Sequence, residues 1–323
     1  MSIILSKTNE ISEKPMAKAY FEYLDENMVN PDILHIESDL GLAILKLDAL
    51  TIQGKYPTQF IDVGIQEANA VGVACGMSAK GFIPFVHSFG TFITRRVFDQ
   101  VFISGAYAGA NIKLIGSDPG IMAAFNGGTH MPFEDVALMR SIPEMTIVEP
   151  SDAVIAKALF KAAADTYGMF YIRFMRKEAA TLYEDGSVFT VGKGNVIKDG
   201  GDVTIIACGA MVEESLQAVE LLKQEGIEAR LVDMFTIKPL DDELVIKCAR
   251  ETGAVVTAEN HNIIGGLGSA VAETLSESCP VPLGRIGARD CFGQVGDVGY
   301  LKEVYGMAAT DIAAKAKEVI AKK

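Results

Sequence analysis

Short apolar runs alternate with amphipathic stretches along most of this chain, and the alternation predicts strands followed by helices. Buried strands are predicted by apolar runs at residues 32–36, 60–63, 82–86, 111–116 and 169–174. Helices are predicted by helical spacing of apolar positions, or by a dense run of small residues, at residues 16–27, 65–79, 88–102 and 151–167. This order is typical of an α/β fold that is doubly wound around a mostly parallel sheet.

The second half of the chain repeats this alternation. Residues 183–201 are rich in glycine, aspartate and lysine, and they predict a boundary between domains. Beyond them the pattern predicts a strand at residues 202–209, a helix at 211–226 and a strand at 227–233. We therefore expect two α/β domains, residues 1–185 and residues 190–323.

Composition narrows the class of protein. A hydrophobic fraction of 49% with 31 glycines is typical of a compact α/β protein. The net charge of −13 argues against non-specific binding to nucleic acid or to an anionic membrane. The five cysteines lack Cys-x-x-Cys spacing, and the first residues lack the layout of a signal peptide. We expect a cytoplasmic protein with neither a disulfide framework nor a zinc site.

Two stretches attract attention as candidate sites. Residues 117–132 form a long predicted loop that contains several glycines and His130, and such loops inside a compact domain are often functional. The glycines at 265–268 suggest a dinucleotide-binding turn, but Val271 stands where Gly-x-Gly-x-x-Gly requires its last glycine. We therefore predict a tight turn there and no dinucleotide site. His35, inside a predicted strand, is interpreted as a core histidine.

Glu67 is the strongest candidate for acid–base chemistry. It lies in the first turn of the small-residue helix, where the helix dipole favours a carboxylate. Small residues allow another backbone to approach closely, so we expect this helix to be buried against a second helix. Periodicity leaves two interpretations open: an ordinary first-turn charge, or a carboxyl group held in a dry interface for proton transfer.

Five sequence stretches resemble transketolases, in the order in which that family has them. They are FIDVGIQEANAVGVACG (residues 60–76), GFIPFVHSFGTFITRRVFDQ (81–100), GGTHMPFEDVALMRSIPEMTIVEPSDA (127–153), YIRFMRK (171–177) and ENHNIIGGLGSAVAE (259–273). The resemblance covers nearly the whole chain. It implies a pyrimidine-binding domain followed by the C-terminal domain of a transketolase.

The resemblance implies a site for thiamine diphosphate. Glu67 matches the family glutamate that contacts the aminopyrimidine ring and takes part in activating the cofactor. Phe92 and Phe98 match aromatic residues that pack on this ring, and Arg95 stands where many transketolases have a third aromatic residue. The implied cofactor-binding residues are thus Glu67, Phe92, Arg95 and Phe98.

The resemblance also implies substrate-binding residues. His130 matches a histidine that faces the substrate and can move a proton, and Arg176 matches an arginine that binds the substrate's phosphate. His87 precedes the predicted helix close to the site. Asp118 stands where transketolases usually have a histidine, and Asn126 where they have an aspartate that contacts a sugar hydroxyl. These two departures predict a modified ketose, with a different anionic or deoxygenated end, as the substrate.

The diphosphate half of such a site is absent from this sequence. The family holds a divalent metal with Gly-Asp-Gly and a later asparagine, and the similar stretches at residues 199–202 and 296–299 have no partner for that purpose. We therefore expect no metal ligands in this chain. The resemblance implies the C-terminal subunit of a split transketolase. An N-terminal partner chain would hold Mg²⁺ or Ca²⁺, and the two chains would form an α2β2 heterotetramer.

Three alternatives remain open at this point. The β subunit of a 2-oxo acid dehydrogenase shares the two-domain layout, but GGTHMP at residues 127–132 fits transketolases better. A deoxyxylulose-phosphate synthase-like enzyme has an arginine in the long loop, where this chain has Asp118. The third alternative is a scaffold subunit without activity, and the presence of Glu67, His130 and Arg176 argues against it.

Overall fold

The computed structural model describes residues 3–8, 10–12, 14–41 and 46–323. These residues form two compact units. The first unit contains the described residues up to Pro119 together with Leu138–Phe189. The second unit contains Gly120–Ala137 and Thr190–Lys323.

Helices and strands alternate along the chain as the sequence pattern predicts. The α-helices are α1 (Met16–Asn27), α2 (Lys46–Lys55), α3 (Glu67–Ser78), α4 (Gly90–Ile93), α5 (Asp135–Arg140), α6 (Ala153–Asp165), α7 (Met211–Gln224), α8 (Asp242–Thr252), α9 (Leu267–Ser278), α10 (Val298–Tyr305) and α11 (Ala309–Ile320). The strands are β1 (Ile33–Glu37), β2 (Phe60–Asp62), β3 (Ile83–Phe89), β4 (Lys113–Ser117), β5 (Thr146–Val148), β6 (Phe170–Phe174), β7 (Asn195–Lys198), β8 (Val203–Ala207), β9 (Ala229–Asp233), β10 (Thr236–Lys238), β11 (Val255–Asn262) and β12 (Leu283–Ala288). Tighter 3₁₀ segments cover Arg95–Val97, Gly120–Asn126 and Gly128–His130, and a π-helix covers Gln100–Tyr107.

The strands of the first unit lie in the order β5-β6-β4-β3-β1-β2, and all neighbours in this order are parallel. Glu37, at the end of β1, lies opposite Asp62 on one side and His87 on the other. Phe89, at the end of β3, lies opposite Ser117. The carboxyl ends of four strands therefore meet at one edge, where parallel α/β sheets place their binding groups.

The second unit contains a sheet with the strand order β12-β11-β8-β9-β7. The first four of these strands are parallel, and β7 pairs antiparallel with β9. Both units are thus α/β units with mostly parallel sheets, which confirms the predicted fold class. No helix among the described residues is long and apolar enough to cross a membrane.

Two helices of the first unit pack against each other as their amphipathic patterns predict. Helix α1 has the bounds predicted from the sequence and contacts α6. The rings of Tyr20 and Phe160 lie 5.0 Å apart at this contact. Helix α6 begins after Asp152, which caps it by accepting a hydrogen bond from the Ile155 N–H at 3.0 Å.

The predicted helix over residues 88–102 is wrong. Strand β3 continues through Ser88 and Phe89, because both residues pair with β4. The helix that follows, α4, ends at Thr94, whose backbone angles are not helical and whose hydroxyl donates to the Gly90 carbonyl at 2.6 Å. A 3₁₀ turn and the π-helix follow. The chain therefore turns repeatedly beside the strand ends rather than leaving them as one straight helix.

Helix α3 is buried on one side only. Ala70, Val71 and Ala74 are buried, and α3 contacts β3 and the π-helix. Gly72 and Gly76 are exposed, and a side chain added at either would meet nothing within 4 Å. The face of α3 with Ala70, Val71 and Ala74 is thus buried against a second helix, as predicted. The face with Gly72 and Gly76, the glycine face, is open in the single chain.

Candidate active site

The candidate active site lies at the carboxyl ends of the strands in the first unit. Glu67 begins α3 just after β2, and Phe89 ends β3. Asp118 follows β4 directly, and Arg176 follows β6 by two residues. Parallel pairing brings these strand ends together, so residues far apart in sequence become neighbours.

Glu67 is a buried carboxylate with a partner on each oxygen. Its residue surface is only 3% exposed. The Ser88 hydroxyl donates to Oε1 at 3.2 Å, and Arg96 Nη1 donates to Oε2 at 2.7 Å. A buried carboxylate is stable only with such partners, and its position at the start of a helix adds to their effect. Glu67 is therefore more than an exposed first-turn charge.

Arg96 links Glu67 to an aromatic ring. Its guanidinium carbon lies 3.9 Å from the centre of the Phe92 ring, and Phe92 in turn packs edge-on against Phe89 with 6.0 Å between ring centres. The sequence analysis singled out the neighbouring Arg95, which is exposed, and missed Arg96. The spacing of four residues between Phe92 and Arg96 was the available signal, since side chains at that spacing often meet.

Phe98 lies further along the same segment. Its ring is half-buried and packs against Phe102, with 6.0 Å between ring centres. The predicted cofactor contacts of Phe98 and Arg95 stay predictions, whereas Phe92 lies next to a side chain that contacts Glu67.

Arg176 and Asp118 form an ion pair beside Phe89, the ring that packs against Phe92. Arg176 Nε donates to Asp118 Oδ1 at 2.7 Å, and Arg176 Nη2 lies 2.7 Å from Oδ2. The guanidinium carbon of Arg176 lies 5.4 Å from the centre of the Phe89 ring. A continuous series of contacts therefore connects Asp118 and Arg176, through two phenylalanines and Arg96, with Glu67.

Asp118 is a buried carboxylate with an uncommon backbone conformation. It is 1% exposed, and its φ of 57° is uncommon for a residue other than glycine. Oδ2 is buried and receives no hydrogen bond of good geometry from the described residues, despite the short distance to Arg176. Burial raises the pKa of Asp118, and the Arg176 guanidinium opposes that rise. Such strained or incompletely bonded groups are most often found at functional sites.

A buried hydrogen-bond network lies behind the strand ends. The Tyr20 hydroxyl is hydrogen-bonded to His35 Nδ1 at 2.9 Å, and His35 Nε2 to Glu37 Oε2 at 3.1 Å. His87 Nδ1 reaches the same Glu37 oxygen at 3.0 Å, and its Nε2 reaches Ser117 Oγ at 3.3 Å. His35 is thus a core histidine, as predicted. His87 is 1% exposed, and its role toward a substrate stays a prediction.

Glu37 is the centre of this network. Its Oε1 accepts hydrogen bonds from the backbone N–H groups of Ser38 at 3.1 Å and Leu40 at 3.2 Å. Burial raises the pKa of Glu37, but the nearby imidazole of His87 and hydrogen bonds from both histidines outweigh burial and hold this pKa well below its usual range. The sequence pattern does not identify Glu37, because its partner His87 lies on another strand.

Asn126 and His130 belong to the second unit, so their geometry is described there alone. Asn126 is exposed at the end of a 3₁₀ segment in which Ala124 has a φ of 46°. His130 is half-buried, and its Nδ1 is hydrogen-bonded to the Thr129 hydroxyl at 2.9 Å. Their roles toward a substrate stay predictions.

The turn at residues 265–268 of the second unit donates hydrogen bonds to a carboxylate of the same chain. Glu259 accepts hydrogen bonds from the N–H groups of Leu267 at 2.7 Å and Gly268 at 2.8 Å, which begin α9. A side chain at Gly266 would lie 1.9 Å from Glu259 Oε2. Glycine is therefore required for the close approach of Glu259, and the amino end of α9 is already occupied by an anion.

The first unit offers a fit for an aminopyrimidine ring. The Arg96 guanidinium is a flat group with N–H donors, and it both stacks on Phe92 and donates to Glu67. These contacts show that the Phe92 ring and the Glu67 carboxylate can serve one planar N–H donor at once. An aminopyrimidine is also flat and carries an N–H donor, although its ring nitrogens accept hydrogen bonds and those of a guanidinium do not. Among the residues that the structure describes, no group of three or more His, Cys, Asp or Glu side chains is arranged to hold a metal ion.

Comparison with known families gives matches to both halves of the chain. Residues 15–181 match the family described as "Transketolase, pyrimidine binding domain". Residues 192–312 match the family described as "Transketolase, C-terminal domain".

Individual proteins match over most or almost all of the chain. This chain is 53% identical over 315 residues to the 6-deoxy-6-sulfo-D-fructose transketolase subunit SqwH of Clostridium sp. (strain MSTE9), and the match covers 97% of each chain. It is 40% identical over 237 residues to an apulose-4-phosphate transketolase subunit of Phocaeicola vulgatus, covering 73% of this chain and 76% of the relative. A solved structure described as "Split gene transketolase, inactive beta4 tetramer" superposes with a TM-score of 0.87 at 38% identity, covering 96% of this chain and 99% of the other.

Proposed function

Because this chain belongs to the transketolase family, we propose that it is the C-terminal subunit of a two-chain enzyme that moves a two-carbon ketol unit from a ketose to an aldehyde. In this proposal residues 1–185 form the pyrimidine-binding domain and residues 190–323 the C-terminal domain. The cluster around Glu67 carries the proposal. The cluster combines the buried carboxylate of Glu67 with the ring of Phe92, on which a flat cation stacks. Through Phe89, this ring is connected to Arg176, which we propose for the substrate.

Thiamine diphosphate supplies, when bound, the nucleophilic carbon that cleaves the ketose and retains the two-carbon fragment. Glu67 and Phe92 would hold its aminopyrimidine ring, and Glu67 would share a proton with a ring nitrogen. A glutamate suits this task because it is ionisable and is fixed here by Ser88. Phe98 and Arg95 are proposed as further cofactor contacts on the basis of the family resemblance.

We assign the diphosphate and its Mg²⁺ or Ca²⁺ ion to an N-terminal partner chain. This sequence lacks the Gly-Asp-Gly and asparagine ligands of the family, and its split relatives are named as subunits. The similar solved structure is described as an inactive tetramer of one kind of chain, which fits a subunit that is incomplete alone. The open glycine face of α3 offers a close contact for another helix, and we propose an α2β2 assembly. All five cysteines are free thiols, which supports a reducing compartment such as the cytoplasm.

We propose a ketose with a modified, anionic end as the donor, and a sulfonated ketose in particular. The relative with 53% identity is named for 6-deoxy-6-sulfo-D-fructose. Arg176 supplies a planar cationic group for such an end, and Asp118 and Asn126 replace residues that ordinary transketolases use to recognise hydroxyls. His130 is proposed to face the substrate and to move a proton.

A donor series tests this proposal. The chain is mixed with its N-terminal partner, thiamine diphosphate and Mg²⁺, and ketol transfer to an aldehyde is measured with 6-deoxy-6-sulfo-D-fructose, xylulose 5-phosphate and an uncharged ketose. We expect transfer from the sulfonated ketose with higher kcat/KM than from xylulose 5-phosphate. Decarboxylation of pyruvate without ketol transfer would instead indicate a 2-oxo acid dehydrogenase or a synthase-like enzyme. No turnover of any donor would indicate a scaffold subunit.

A further inference from the structure

The geometry points to Asp118 as a residue that selects donors by charge: its ion pair with Arg176 reduces the advantage that a doubly charged phosphate end would have over a singly charged sulfonate end at an unpaired arginine. This inference rests on the proposed function, because it concerns the donor of the same reaction. It adds a physical reason for the preference and a residue that determines it.

Arg176 is fixed on two sides. Nε and Nη2 face the carboxylate of Asp118, each at 2.7 Å from one of its oxygens, and the guanidinium plane lies beside the Phe89 ring. The Arg176 side chain is 25% exposed, whereas that of Asp118 is 2% exposed. An incoming anion therefore meets the outward N–H groups of the guanidinium, with the carboxylate directly behind them.

The charges of the two kinds of donor differ. A phosphate monoester carries about −1.5 to −2 charges at pH 7, because its second pKa is about 6. A sulfonate carries a single negative charge at any pH at which the protein is folded. An isolated arginine attracts the phosphate more strongly. In the pair of Arg176 and Asp118, the carboxylate behind the guanidinium repels the additional charge of the phosphate and cancels part of that attraction.

The repulsion is large enough to matter. An anion on the outer N–H groups lies on the order of 6 Å from the carboxylate, and at an effective dielectric constant near 20 one additional charge changes binding by at least about tenfold. Salt screens this repulsion weakly, since Asp118 is buried. Lys177, which is exposed, and the buried imidazole of His87 also influence Asp118, but both are present in wild type and in a variant at position 118, so a comparison of the two enzymes isolates Asp118.

Asp118 has the properties of a functional rather than a purely structural residue. Its carboxylate is buried behind Arg176, and its backbone has a positive φ. Both features cost free energy of folding. A carboxylate that only positioned Arg176 would require neither of these unfavourable features.

The test compares Asp118→Asn with wild type in the complex with the partner chain. The donors are 6-deoxy-6-sulfo-D-fructose and fructose 6-phosphate, which differ at the anionic end. We expect the ratio of kcat/KM values to favour the sulfonate in wild type and to fall by about tenfold in Asp118→Asn, mainly through better use of the phosphate. Asp199→Asn is the matched control, because Asp199 forms a similar pair with Arg230 in the second unit. This control should leave the ratio unchanged.

A ratio in Asp118→Asn within twofold of wild type would overturn the inference while leaving the proposed function intact. Direct binding of ethanesulfonate and ethyl phosphate to the wild-type complex gives a second measurement that needs neither turnover nor a folded variant. We expect the two anions to bind within about tenfold of each other at pH 8, because Asp118 cancels most of the additional attraction of the phosphate. A larger advantage of ethyl phosphate would also overturn charge selection. Failure of both sugars as donors would contradict the proposed function, and the binding measurement would still decide the inference.

Discussion

Glu67→Gln is the substitution that separates the chemistry of the site from its folding. Glutamine keeps the size of glutamate but cannot exchange a proton in the same way. Its carbonyl oxygen can accept the hydrogen bond from Arg96, and its amide can donate to the Ser88 hydroxyl, so both present contacts have a counterpart. Arg96 and Ser88 therefore both keep a hydrogen bond to residue 67, although Ser88 then accepts where it donated before.

The expected magnitudes differ strongly for stability and activity. The bond to Arg96 loses its charge assistance, and charged hydrogen bonds are roughly twice as strong as neutral ones. Because the Arg96 side chain is 46% exposed, solvent screening reduces this loss, and we expect a change of about 1 kcal/mol or less in the free energy of unfolding. Loss of an acid–base group should slow activation of the cofactor on the order of 10²-fold or more.

Deuterium exchange at the thiazolium carbon of thiamine diphosphate measures this activation directly in the complex with the partner chain. Urea unfolding of the same protein gives the stability. Glu225→Gln is a matched control, since Glu225 pairs with Lys317 on the surface of the second unit and should change neither quantity. An exchange rate within a few-fold of wild type would refute the reasoning, and Glu67 would then be a helix-start charge.

Three further predictions concern Glu37, the buried Lys113 at the amino end of β4, and Arg176. Glu37→Leu removes the acceptor of four buried hydrogen bonds and should cost about 3–5 kcal/mol in urea unfolding; a loss below about 1 kcal/mol would show that the network contributes little. Burial lowers the pKa of Lys113 to about 7, so between about pH 7 and 10 the unfolded chain binds more protons than the folded chain and stability should rise with pH. Lys113→Met should reduce this rise. An unchanged pH dependence of stability in this variant would show that the pKa of Lys113 is not lowered. Arg176→Ala should raise KM far more for an anionic donor than for an uncharged ketose, and equal effects on both would mean that Arg176 holds the loop instead.

The alternation of strands and helices could be predicted because it depends on local patterns. The bounds of α1 and the cap of α6 at Asp152 follow from apolar spacing and from one side chain that bonds its own helix start. The segment after β3 could not be predicted in the same way. Whether Ser88 and Phe89 belong to a strand depends on their pairing with β4, which lies more than twenty residues later in the sequence.

The candidate site shows the same limit. Resemblance to a family identifies Glu67, Phe92 and Arg176 from the sequence, and the structure of the first unit connects them through side-chain contacts. Arg96 and Glu37 were missed because their importance comes from partners on other elements. The ion pair of Arg176 with Asp118 is equally hidden in the sequence, although both residues are candidate substrate contacts there.

The central claim is that this chain holds the pyrimidine end of thiamine diphosphate and needs a second chain for the diphosphate and metal. Calorimetric titration of thiamine diphosphate with Mg²⁺ tests it most directly, first into this chain alone and then into its mixture with the N-terminal partner. We predict weak binding without dependence on Mg²⁺ for the chain alone, and saturable Mg²⁺-dependent binding for the mixture. Tight Mg²⁺-dependent binding by this chain alone would contradict the account.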